Sequence, residues 1–121
     1  MAPGSSARLV PATIPGPAGR LEALLRLPPQ PLGGAVMAHP HPLHGGTMHT
    51  KIVQRAARLL SDRLGLAALR FNFRGVGSSA GVYARGAGET EDLVAAFRWL
   101  RERQPAGPFV LGGFSFGSVC A

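Results

Sequence analysis

The chain has 121 residues, 45% of them hydrophobic, with a mean hydropathy of +0.13. These values fit one globular domain, or part of one, built on a buried core, and they exclude an intrinsically disordered chain. The formal net charge of +7 comes almost wholly from arginine, Lys51 being the only lysine, but the cations are scattered and no basic run interleaves with aromatics, so a nucleic-acid partner is not expected.

Residues 8–14 and 19–27 read as two short strands. Pro11 places the first at a sheet edge, and Pro15-Gly16-Pro17-Ala18-Gly19 is dense turn chemistry, so the pair reads as a hairpin. Gly34-Ala35-Val36-Met37-Ala38 is a continuous small apolar run, suited to a strand buried on both faces. A histidine-rich loop follows, His39-Pro40-His41-Pro42-Leu43-His44. The spacing then predicts a helix from Thr47 to Leu64. Ile52, Val53, Ala56, Leu59, Leu60 and Leu64 form its apolar face, and Lys51, Arg55, Arg58 and Asp62 the other. Gly65 is placed as its C-cap.

Leu66 to Phe73 reads as the next strand and runs into a glycine-rich loop that continues to Gly88. Glu89 to Arg103 is a second amphipathic helix, with Leu93, Ala96, Phe97 and Leu100 on one face and Glu89, Glu91 and Asp92 in a first turn that suits the helix dipole. Pro108-Phe109-Val110-Leu111 is a last strand. A hairpin followed by β-α-β-α-β is an α/β architecture with a mostly parallel sheet and crossover helices. No apolar run is long enough to span a membrane, Met1 to Arg8 carries no secretory apolar region, and the single Cys120 excludes an internal disulfide. A cytoplasmic protein without a membrane partner is expected, and the oligomeric state is not legible. Cys120 reads as a small packed side chain.

Gly113-Phe114-Ser115-Phe116-Gly117 follows the last strand and spells G-x-S-x-G. Small apolar residues follow it, as a helix packed on a sheet would need. Strand, sharp turn and helix make a nucleophile elbow. The turn strains its central residue, and the two glycines let strand and helix approach closely. Ser115 is the candidate nucleophile. The Phe116 N–H is the first candidate oxyanion donor. The second should come from the loop after the third strand, where Pro40 and Pro42 have no N–H. His41 is therefore assigned through its backbone, with Leu43 as second choice.

Two other patterns compete. His39, His41 and His44 spell H-x-H-x-x-H, which resembles the metal-binding stretch of metallo-β-lactamase-like hydrolases, except that Leu43 stands where those carry aspartate. With that aspartate missing and no further ligand cluster, no metal site is assigned. Gly75-Val76-Gly77-Ser78-Ser79-Ala80 imitates a dinucleotide fingerprint, which requires a helix to open at once; loop residues follow instead, so no cofactor is expected.

Taken together, Met37 to Met48, Arg70 to Gly81 and Gly113 to Gly117 resemble the α/β-hydrolase superfamily. The similarity is greatest to its small, lidless, dienelactone-hydrolase-like bacterial members with an H-P-H-P loop, and it covers residues 34–118. His39-Pro40-His41-Pro42 matches the family's H-G-x-P, whose x residue lends an oxyanion N–H, and Arg74, Gly75, Gly77 and Ser79 match its R-G-x-G-x-S. Arg74 is expected to be structural, paired with Asp92 or Glu89. The resemblance implies a serine esterase or thioesterase acting on small-molecule esters. In that family the acid and the histidine follow the nucleophile along the chain. Residues 1–121 therefore read as the N-terminal portion of one hydrolase domain, lacking roughly three of the usual eight strands. The chain alone is expected to be inactive. The alternative is a catalytically incomplete hydrolase-like fragment that acts as a binding module.

Overall fold

The computed structural model describes residues 7–114 and Gly117. Five strands form one sheet in the order β1-β2-β4-β3-β5. Strand β1 (Arg8–Gly16) and strand β2 (Gly19–Leu27) make the expected antiparallel hairpin, with β1 at the edge where Pro11 costs no ladder bond. Strands β3 (Gly33–Ala38), β4 (Leu66–Phe71) and β5 (Phe109–Gly113) run parallel to one another, with β3 in the middle. Strand β2 joins β4 antiparallel. The sheet is thus mixed: three parallel strands extended by a hairpin.

Every residue of β3 and β4 is buried. Alternation sends their side chains to two faces. Val36, Ala38, Ala67, Leu69 and Phe71 join Ile14, Leu21, Ala23 and Leu25 in one cluster, closed by Leu93, Ala96 and Leu100 of helix α2 (Ala87–Arg103). Phe97 sits at its margin, edge-on to Phe109 at 5.3 Å between ring centroids. The alternate residues Ala35, Met37, Leu66 and Ala68 are also buried, and helix α1 (Lys51–Leu64) packs on β4 and β3.

Helix α1 departs from its sequence reading in two ways. Its start lies at Lys51, not Thr47. The Thr47 N–H donates to Thr50 Oγ1 and the His49 N–H to Thr47 Oγ1, so hydroxyls take backbone groups that a helical turn would use. Its buried residues are Val53, Ala57 and Ser61, while Ile52, Leu59 and Leu64 face outward. Small residues four apart let the helix axis approach the sheet, and that close approach outweighs the larger apolar side chains. The cap is as expected: Gly65 adopts the left-handed conformation (φ 69°) and its N–H reaches the carbonyls of Leu60 and Ser61.

Strand β4 ends at Phe71 rather than Phe73. The next two N–H groups leave the parallel ladder, Asn72 donating to the Glu22 carbonyl and Phe73 to a histidine ring. Among the described residues, no helix is long and apolar enough to cross a membrane.

Candidate active site

Three parallel strands deliver their loops to one edge of the sheet, the place where α/β folds build sites. These are residues 39–50 after β3, residues 72–86 after β4, and the chain after β5. Each loop is fixed by a different set of polar contacts.

The first loop turns on two histidines that behave differently. His39 is fully buried. Its Nε2 accepts the Phe73 N–H at 3.1 Å, so the ring proton belongs on Nδ1, which donates to the Pro40 carbonyl at 2.6 Å. Burial lowers its pKa below the ordinary 6.5, only partly offset by the bond to Pro40, and holds the ring neutral. The ring also stands edge-on to Phe73, with centroids 4.7 Å apart.

His41 is only half-buried. It caps a short 3-10 turn, Pro42–His44, by accepting the Leu43 N–H on Nδ1 at 3.1 Å. In the neutral ring the proton then sits on Nε2, 3.1 Å from the Tyr83 hydroxyl. The His41 carbonyl accepts from both His44 and Gly46 N–H groups, and its ring stacks on His44 at 4.5 Å.

The second loop is anchored at three points. Arg74 grips the buried Asp92 through Nε and Nη2 at 3.1 and 2.9 Å, and its own N–H adds a third bond to the same carboxylate at 3.0 Å. That hydrogen bonding raises the Arg74 pKa. Glu89, also fully buried, accepts the N–H groups of Ala84 and Gly86 at 2.8 Å each. Ser79 Oγ accepts from the Glu22 N–H and donates to the Asn72 carbonyl.

The end of β4 reaches back to the first loop as well. Asn72 Oδ1 accepts the Met48 N–H at 2.8 Å, and buried Arg70 donates to the Met48 carbonyl at 2.7 Å. Desolvation, then the nearby Arg26 and Arg58, lower the Arg70 pKa. Loop 39–50 is thus laced to the β4 strand and loop by His39, His41 and Met48.

The third segment follows from strand register. Ala38 of β3 lies opposite Gly113 of β5, and the Phe114 N–H donates to the Ala38 carbonyl at 3.3 Å. The Gly117 N–H donates to the Phe114 carbonyl at 3.0 Å. A Cβ on Gly117 would sit 2.6 Å from the Ala38 carbonyl oxygen and 2.7 Å from that of His39. Position 117 therefore admits only glycine without movement of the backbone.

No family model matches the chain. An uncharacterised protein of Rickettsia prowazekii (strain Madrid E) is 44% identical over 110 residues, which are 88% of this chain and 45% of that protein. A lidless α/β serine hydrolase from Xanthomonas campestris superposes with a TM-score of 0.83 at 42% identity, covering 91% of this chain and 52% of its own. An α/β serine hydrolase homologue from Coxiella burnetii gives 0.85 at 45% identity, covering 92% and 54%. This chain belongs to the α/β-hydrolase superfamily. It spans about half the length of the relatives it matches.

The geometry treats the sequence-derived candidates unequally. Ser115 and Phe116 lie outside the described residues. His41 stands where the strand register sets its loop beside the end of β5. The Leu43 N–H, the second-choice donor, is engaged by the His41 ring. The three-histidine metal pattern is overturned at His39: both of its nitrogens are bonded inside the protein, and it faces Phe73 rather than His41 and His44. Among the described residues no cluster of three or more His, Cys, Asp or Glu could hold a metal ion. No helix opens after Gly75-Val76-Gly77, since α2 begins at Ala87, so the dinucleotide look-alike fails on context.

Sequence reasoning missed Tyr83, Asn72, Glu22 and the bracing role of Glu89. Tyr83 carried one signal: it is the only tyrosine of the chain and lies in the glycine-rich loop. A hollow of about 370 Å³ between Pro28, Leu32, Ser61 and Leu64 lies at the opposite, N-terminal ends of β3 and β4 and includes no residue of these loops.

Proposed function

We propose that the protein carrying this chain is a serine hydrolase that cleaves small carboxylic esters or thioesters through an acyl-enzyme on Ser115. The Ser115 hydroxyl attacks the carbonyl carbon while its proton passes to a general base from outside residues 1–121. The carbonyl oxygen becomes an oxyanion held by the N–H groups of Phe116 and His41. The alcohol or thiol leaves with the proton from the base, and water then releases the carboxylic acid by the same steps. No cofactor enters this scheme, and a cytoplasmic location suits it.

The observation that carries this reading is the register of Ala38 with Gly113, together with Gly117 lying against the Ala38 and His39 carbonyls. Both end glycines of the G-x-S-x-G stretch thereby lie against the end of β3, where the loop that carries His41 begins. The bonding within that loop supports His41 as the second donor, because the Leu43 and His44 N–H groups are already directed at His41 itself.

The same contacts support an inactive 121-residue chain. All four histidines lie in loop 39–50. Asp62 of α1 is paired with Arg26 of β2, and Asp92 of α2 with Arg74 of the loop after β4, so neither is offered to a histidine. The test is a fluorophosphonate probe applied to the full-length protein. Labelling should fall on Ser115 and vanish in Ser115→Ala. Labelling or ester turnover that survives the substitution sinks the assignment.

A further inference from the structure

We propose that Tyr83 is a positioning residue for the oxyanion loop, acting through the ring of His41; this rests on the serine-hydrolase reading above. His41 is held from several sides. Its carbonyl takes two backbone N–H groups, its Nδ1 takes the Leu43 N–H, and its Nε2 meets the Tyr83 hydroxyl at 3.1 Å. The first three contacts lie within residues 41–46 and move with the loop. The Tyr83 contact alone of these comes from another element, across 42 positions of sequence. It therefore joins the His39 and Met48 bonds in fixing where the loop stands relative to the rest of the site, and does so at His41 itself, while the local bonds set only the loop's shape.

Tyr83 is itself well placed to serve as a fixed post. The next residue, Ala84, donates its N–H to buried Glu89, and Arg74 on the same loop is clamped to buried Asp92. On the inner side, His39 joins the same two loops through Phe73. The His39 bond and the Tyr83 bond thus hold the loop from two sides, one buried and one half-buried. An oxyanion donor must be aimed before the charge develops, and a loop free to swing would lose that preorganisation.

The hydroxyl can be removed without removing the ring. Tyr83→Phe keeps the tilted ring contact with His41, 5.3 Å between centroids, and deletes only the hydrogen bond. In the full-length enzyme, kcat should fall about tenfold with KM changed less than about twofold. A boronic acid that forms a tetrahedral adduct on Ser115 should bind about tenfold more weakly, because that adduct places an oxygen on the donors. The melting temperature should stay near that of the parent. In a His41→Ala background, Tyr83→Phe should add less than about twofold. The proposal is overturned if kcat and boronate affinity are unchanged, if KM alone rises, or if the Tyr83→Phe loss persists in full without the His41 ring. Turnover that survives Ser115→Ala would instead remove the serine reading, and this proposal with it, so the two failures are distinguishable.

Discussion

The Nε2 atom of His39 accepts the Phe73 N–H at 3.1 Å and so ties the end of β3 to the end of β4. Neither residue is exposed. A buried N–H left without an acceptor costs about 1–3 kcal/mol, so His39→Ala, which also empties ring volume, should cost about 2–4 kcal/mol in urea unfolding.

His39 also makes stability depend on pH. Burial depresses its folded pKa below 6.5. As pH falls below 6.5 the unfolded chain takes up a proton that the folded chain refuses, so stability declines on acidification, and it does so until the depressed folded value is reached. The glutamine variant His39→Gln offers an amide oxygen to Phe73 and has no such titration. Melting temperatures followed from pH 7 to pH 5 should fall more steeply in the parent than in His39→Gln. Parallel curves would show that His39 does not carry the effect, since His41, His44 and His49 are common to both.

Arg74 and Asp92 make the next prediction. The carboxylate is fully buried and accepts three donors from one residue. Removing one member of such a pair leaves an uncompensated polar or charged group, so Asp92→Ala should destabilise by about 3–5 kcal/mol. Arg74→Lys keeps the charge but loses the two-point fit and should cost about 1–2 kcal/mol. Denaturant midpoints of the two variants check the order. A lysine variant as unstable as Asp92→Ala would mean that the fork geometry, not the charge, dominates.

Much of the fold was legible because local chemistry and tertiary packing agree there. Pro11 marked an edge strand, the small apolar run 34–38 marked a strand buried on both faces, and Gly65 marked a helix end. The start of α1 was not legible, because Met48 is held by Arg70 of β4 and Asn72 just after it, and no local signal encodes that. The apolar spacing of α1 identifies Val53 but not Ala57 and Ser61, which are buried because they are small enough to let the helix approach the sheet. In the site, spacing alone could not separate His39 from His41. Their roles diverge because one points at Phe73 and the other at Tyr83, a difference of direction that sequence does not carry.

Gly117 gives a prediction about the elbow. A methyl there would meet two carbonyl oxygens of β3 and its loop, at 2.6 and 2.7 Å, and backbone cannot swing aside as a flexible side chain can. Gly117→Ala should displace the turn from the His41 loop, lowering kcat at least about tenfold and stability by about 1–3 kcal/mol. Wild-type kinetics in that variant would show that the close approach is unimportant to the site.

The last prediction concerns the 121-residue chain by itself. Strand β5 pairs with β3 along one side, and no described residue pairs with its other side. Its sequence, Phe-Val-Leu-Gly-Gly, has no charge and no proline, and Val110 and Leu111 are 37% and 42% exposed. Such an edge is a template for another strand. The opposite edge of the sheet differs: β1 carries Pro11 and Pro15 within it and Arg8 at its start, features that discourage pairing. Association should therefore run through β5. Light scattering coupled to gel filtration should show oligomers that grow with concentration. Val110→Lys should return the chain to monomer by placing a charge on the open strand, whereas Leu9→Lys on β1 should not. A monomeric parent chain, or suppression by the β1 change instead, would place the sticky surface elsewhere.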